Sequence, residues 1–195
     1  NRPNMTHPLA AELAPTGTLR AAINMSNFLL VTGKTAPGDP EGVASSMAAL
    51  FADRLGVPVE YHPYPNPGAL ADSSKDDLWD VGFVGAEPQR ATYVNFTAAY
   101  VEIEATYMVP AGSKFQTPEE VDSEGTTIAV SARAAYDLWL ERNIKHATVH
   151  RVSGLDASFN LFMDEKMDAL AGLRPKLIDD VKKVPGGRIL DGQFT

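Results

Sequence analysis

Extended runs and helical stripes alternate along this 195-residue chain. Short, mostly apolar runs bounded by turn residues predict strands at 18–23, 57–64, 81–85, 126–130, 147–152 and 168–172, with a further extended segment over 104–112. Between them, Val43, Met47, Leu50, Phe51 and Leu55 recur at helical spacing and Gly56 supplies the stop. A weaker helix is expected over 66–80. The clearest helix follows Gly154, where Leu155, Phe159, Phe162, Met163 and Met167 form one stripe that reads as core rather than as a methionine or cofactor site.

Strands alternating with helices at this pace predict an α/β fold of mostly parallel sheets with helices on both faces. A β-α-β-α-β half is complete by Gly85 and the alternation restarts near residue 104. Two lobes are therefore expected, 17–103 and 104–190, with a polar lead-in over 1–16 and a last piece, 191–195, leaving the second lobe.

Composition narrows the class. A hydrophobic content of 44% with 22% charged residues is that of a globular chain and excludes the disordered and fibrous classes. A net charge of -8 argues against nucleic-acid or anionic-membrane partners, which need a basic face. The absence of cysteine excludes disulfides, thiolate catalysis and cysteine metal sites. No run approaches the roughly 18 apolar residues of a membrane span, and the first 17 residues lack a signal-peptide hydrophobic region.

Parallel α/β sheets bind ligands outside the carboxyl ends of their strands, where the following helix presents free N–H groups. Three arginines fall there. Arg90 follows the strand ending at Gly85, and Pro88 places it in the first turn of an expected helix; Arg133 follows Val130; Arg174 follows Gly172. A cation at a helix N-terminus opposes the helix dipole by a few tenths of a kcal/mol, up to about 1 kcal/mol. Three such cations in an acidic chain point to a shared anion pocket, because guanidinium groups bind carboxylates in a two-pronged fork.

The stretches "GTLRAAINMSNF", "ADRLGVPVEY", "DLWDVGFVGAEPQRATYVNFTAAY" and "IAVSARAAYDLWL" resemble, in order and spacing, the bacterial extracellular solute-binding proteins of family 3. The resemblance implies the two-lobed type II periplasmic binding protein fold, closing on a ligand about a hinge, which the restart of the strand-helix alternation places near Tyr100 to Glu104. It implies the membrane subunits of an ABC importer as partners, and a periplasmic or, if lipid-anchored on a Gram-positive cell, extracellular location. Arg90 would grip the ligand carboxylate, with help from the positions Phe83, Val84 and Gly85, and the loop after the first strand would add Asn24, Asn27 and Phe28.

Departures from the family define the expected ligand. Arg133 and Ala134, followed by Ala135, replace the usual Gly-Thr-Thr, and Leu173 with Arg174 beside it stands where an acid usually holds the ligand ammonium. The expectation is a small organic anion, a carboxylate other than an ordinary α-amino acid. The family also continues beyond a segment like "GGRILDGQFT", so a C-terminal part is expected to be missing.

Other chemistry finds little support. Four scattered histidines make no metal site, Glu102 and Glu104 alternate as on a solvated strand face, and neither a Gly-x-Ser-x-Gly elbow nor a nucleotide phosphate loop is present. No cofactor and no catalysis are expected. Two alternatives share the fold: a cyclohexadienyl dehydratase-like enzyme, for which Glu87 is the nearest acid, and the sensor domain of a receptor.

Overall fold

The computed structural model describes residues 6–195. The chain divides into two compact units, the first ending at Gly85 and the second running from Ala86 to Thr195. The strand and helix count sets the boundary at 103/104; residues 86–103 instead cluster with the second unit.

In the first unit, β1 (Leu19–Asn24) lies between β4 (Val59–Tyr64) and β5 (Val81–Phe83), and both pairings are parallel. The Gly/Pro-rich loop folds into a small antiparallel pair, β2 (Gly33–Lys34) with β3 (Pro40–Glu41), which the sequence pattern does not announce. Residues 1–5 of the expected lead-in lie outside the described residues. The rest is anchored: α1 (Ala10–Leu13) buries Ala10 against Leu19 and Leu55, and the His7 amide donates to the Leu55 carbonyl at 3.0 Å.

The helix α2 (Val43–Leu55) turns inward a face that shares only Leu55 and the partly buried Phe51 with the one its large residues suggest. It buries Ala44, Ala48, Ala52 and Leu55, while Val43, Met47 and Leu50 stay exposed. Alanines bring the helix close to the sheet; the larger residues share the same spacing one position away, so periodicity alone favours them. Gly56, left-handed at φ 74°, ends the helix as expected. The weak helix is shorter than 66–80: α3 (Pro67–Asp72) is capped by Asn66, whose Oδ1 accepts from the Ala69 amide at 2.8 Å, and only a 3-10 turn follows.

The second unit holds a five-stranded sheet. Its order is β10 (Arg188–Ile189), β6 (Ala105–Val109), β9 (Ala169–Leu173), β7 (Thr127–Ser131), β8 (Thr148–Val152). The pairs β7–β8 and β7–β9 are parallel, whereas β6 runs antiparallel to β9 and β10 to β6, so this sheet is mixed rather than mostly parallel.

Alternation along the strands gives the sheet two apolar faces. Tyr107, Ile128 and Val130 pack with Tyr136 and Leu140 of α4 (Ala135–Asn143). Met108 and Ala129 pack with Phe162 of α5 (Leu155–Asp164) and Leu177 of α6 (Arg174–Asp180). Met167 is buried beyond the end of α5 and Met163 is partly exposed, so the stripe after Gly154 is core only in part. Residues 190–195 continue along β6: the Leu190 amide donates to Tyr107 O and the Phe194 amide to Ala105 O, both at 2.9 Å.

Candidate ligand-binding site

At the carboxyl ends of β1 and β5, the first unit places the predicted loop residues on neighbouring strands, Ile23 pairing with Phe83. Asn24 Oδ1 accepts from the Ser26 amide at 3.1 Å and from the Ser26 hydroxyl at 2.7 Å. Asn27 Oδ1 accepts from the Leu29 amide at 3.2 Å. Both side chains shape the turn leaving β1. Phe28 is half-buried, Phe83 packs on Ile23 and Val31, Val84 is half-buried, and Gly85 is exposed.

In the second unit, Arg90 lies in a three-residue 3-10 turn, Arg90–Thr92. The helix expected from Pro88 does not form, so the dipole argument for Arg90 falls away. Burial replaces it. Arg90 is 2% exposed and its Nη2 donates to the Arg133 carbonyl at 2.8 Å. Burial pushes the guanidinium pKa below its ordinary value; the Tyr93 hydroxyl opposes the shift and the Arg133 charge adds to it. The turn is fixed from its start by Glu87, whose Oε2 accepts from the Gln89 amide at 2.9 Å and whose Oε1 pairs with Arg142 Nη1.

Arg133 ends the β7 loop with a left-handed backbone, φ 63°. Ala134 begins α4 without a capping side chain, and Asp137 in the first turn takes that part, its Oδ2 accepting from the Arg133 amide at 2.7 Å. The other oxygen of Asp137 accepts from Arg151 Nε at 2.8 Å. Arg90, Arg133 and Ala134 are thus brought together. The strand pattern carries no signal for Arg142 or Arg151; Asp137, an acid in the first turn of a helix behind an alanine cap, is the one of these residues that its position could have revealed.

Leu173 is the last residue of β9, the parallel neighbour of β7, and Arg174 begins α6 directly after it. Leu173 packs on the core. Arg174 Nε donates to Glu104 Oε2 at 2.8 Å, Nη1 to the Leu190 carbonyl at 3.3 Å, and Nη2 to the Gly192 carbonyl. Its guanidinium therefore ties the last residues to the start of β6. Among the described residues no three His, Asp or Glu gather to hold a metal, and no helix is long and apolar enough to cross a membrane.

Two units, each a sheet covered by helices with loops at the strand ends, define the type II periplasmic binding protein fold. Residues 22–186 match the bacterial extracellular solute-binding proteins, family 3, and the chain belongs to that family. Among curated proteins none matches the sequence. Solved structures that it resembles include holo ArgBP from T. maritima, at 21% identity and a TM-score of 0.72, covering 94% of this chain and 81% of that one. Cysteine-binding protein from Campylobacter jejuni is 18% identical with a TM-score of 0.69, covering 91% and 72%. The ancestral amino acid-binding protein AncCDT-1, a precursor of cyclohexadienyl dehydratase, is 20% identical with a TM-score of 0.71, covering 92% and 79%. At these identities the likeness is one of fold.

Proposed function

We propose that this protein captures a small organic carboxylate for the membrane subunits of an ABC importer, on the outer side of the cytoplasmic membrane, and that Arg90 grips the carboxylate. The observation that carries the reading is the fixed place of Arg90: a guanidinium 2% exposed, its Nη2 donating to the Arg133 carbonyl at 2.8 Å, at the position that the resemblance gives to the ligand carboxylate. Asn24, Asn27, Phe28, Phe83, Val84, Gly85, Arg133 and Ala134 are proposed to touch the ligand. Leu173 supports a ligand without an ammonium group, since it is apolar and the adjoining acid, Glu104, is paired with Arg174.

ArgBP, the cysteine-binding protein and AncCDT-1 are named for amino acids, which makes an α-amino acid the alternative ligand to be tested. The dehydratase alternative would use Glu87 as a proton donor. Both of its oxygens accept hydrogen bonds from the chain, which suits an anchor and supports binding without turnover.

Isothermal titration calorimetry with succinate, 2-oxoglutarate, alanine and arginine tests the reading. Either acid should bind the wild type and lose at least 30-fold in Arg90→Met, since truncating one partner of a desolvated charge pair costs about 2–5 kcal/mol. Binding of the amino acids alone, or wild-type affinity in the variant, would overturn it.

A further inference from the structure

We propose that Arg142 and Arg151 are positioning residues for the ligand: through two buried acids they brace the turn and the guanidinium of Arg90 against one helix, α4, so that the grip on the carboxylate is set before the ligand arrives. The proposal rests on the carboxylate reading of Arg90 and adds what fixes that group in place.

The same device occurs twice, and every link lies within the second unit. Arg142, near the end of α4, pairs through Nη1 with Glu87 Oε1. The other Glu87 oxygen accepts the Gln89 amide and the Glu87 carbonyl accepts the Ala91 amide, both at 2.9 Å, so the chain is pinned on either side of Arg90. Arg151 of β8 donates through Nε to Asp137 Oδ1 at 2.8 Å, and the other Asp137 oxygen accepts the Arg133 amide at 2.7 Å. The two arms meet where Arg90 Nη2 donates to the Arg133 carbonyl at 2.8 Å. Because Asp137 and Arg142 stand on one helix, these contacts close a ring that runs from α4 through Glu87, Arg90 and Arg133 back to α4.

The residue types point to geometry rather than to stability. The side chains of Glu87 and Asp137 are each 3% exposed, those of Arg142 and Arg151 38% and 37%. Glutamine at 87 and asparagine at 137 would still accept the two amides and would bury no charge, and a buried ion pair often adds nothing to stability over uncharged packing. What the charged pairs add is stronger, more directional bonds at both oxygens of each acid. Both pairs act on the short piece of structure that carries Arg90. An arginine has many rotamers, and one already held loses less freedom when it grips a ligand.

Calorimetry with succinate and 2-oxoglutarate, together with NMR-detected hydrogen exchange of the protein without ligand, tests this. Arg142→Met and Arg151→Met should each weaken whichever acid the wild type binds by about 5- to 10-fold, with an intact fold by circular dichroism. Arg142→Lys, which keeps the charge, should recover part of the loss. In Arg142→Met the Arg133 amide should exchange faster along with the Gln89 amide, because opening one side of the ring slackens the other. Asp122→Ala removes a carboxylate that holds three amides at the opposite end of β8 and should leave the affinities unchanged. Wild-type affinity in either methionine variant, an Arg133 amide that exchanges as in the wild type once Arg142 is lost, or an equal loss of affinity in Asp122→Ala would overturn the positioning role and leave the carboxylate reading standing. No binding of either acid by the wild type, or Arg90→Met binding normally, would overturn the carboxylate reading and this inference with it.

Discussion

Glu104 and Arg174, 70 residues apart, form an ion pair of 2.8 Å that joins the start of β6 to the start of α6. The same guanidinium also reaches the carbonyls of Leu190 and Gly192. Because Glu104 is about half exposed, the pair alone contributes little. Arg174→Ala should lower stability by about 1–2 kcal/mol, mostly through the lost carbonyl contacts. Hydrogen exchange should then quicken at residues 190–195 while the amides of β7 keep their protection; unchanged exchange at 190–195 would count against the clasp.

Arg142 and Glu87 make an unequal pair, the arginine side chain 38% exposed and the glutamate 3%. Removing the arginine strands a buried carboxylate, whereas Glu87→Gln keeps an acceptor for the Gln89 amide. Urea denaturation should show Arg142→Met losing about 1–3 kcal/mol, the lower part of the range for broken buried pairs because solvent reaches the arginine. Glu87→Gln should lose less. The reverse order would show that the pair does not fix the turn carrying Arg90.

Asp122 accepts the backbone amides of Lys145, His146 and Ala147 where the chain enters β8. Burial alone would raise its pKa, but the three amides and the nearby His146 outweigh burial and hold it below the ordinary value. A folded pKa below the unfolded one gives stability that is present above the unfolded value of about 3.9 and is lost as pH falls through the depressed folded value. Thermal melts between pH 7 and 2 should therefore show a shallower acid loss in Asp122→Ala than in the wild type. Parallel curves would remove Asp122 from the acid response.

Gly42 stands at φ 133°, and a Cβ there would lie 2.5 Å from the Leu30 carbonyl oxygen. The contact is with backbone, so relief requires the loop joining β1 to α2 to move. Gly42→Ala should lose about 2–3 kcal/mol by urea denaturation, combining strain with the clash. A loss below 0.5 kcal/mol, within the usual surface range of about ±0.5 kcal/mol, would mean that the loop yields freely.

The strands were legible because apolar runs between turn residues leave few other places for buried backbone. Helix faces were less so. In α2 most of the buried positions are alanines, beside Ser45 and Leu55, and a reading by size also selects Val43, Met47 and Leu50, which face water. Pro88 suggested a helix, yet the Glu87 carboxylate captures the Gln89 amide and the chain makes only one 3-10 turn. The three arginines read alike in sequence and differ in space. Arg90 and Arg133 meet through a hydrogen bond between residues 43 apart, and Arg174 turns to carbonyls 16 and 18 residues further on. No local spacing records such pairings.

The strip from Arg188 to Thr195 has a consequence for solution behaviour. It occupies the outer side of β6, whose five residues, Ala105 to Val109, are all buried and carry no charge. A bare strand of that composition is a template for pairing with another molecule. Residues 188–195 thus cover that edge, and cleavage before Arg188 is expected to bare β6 and favour self-association.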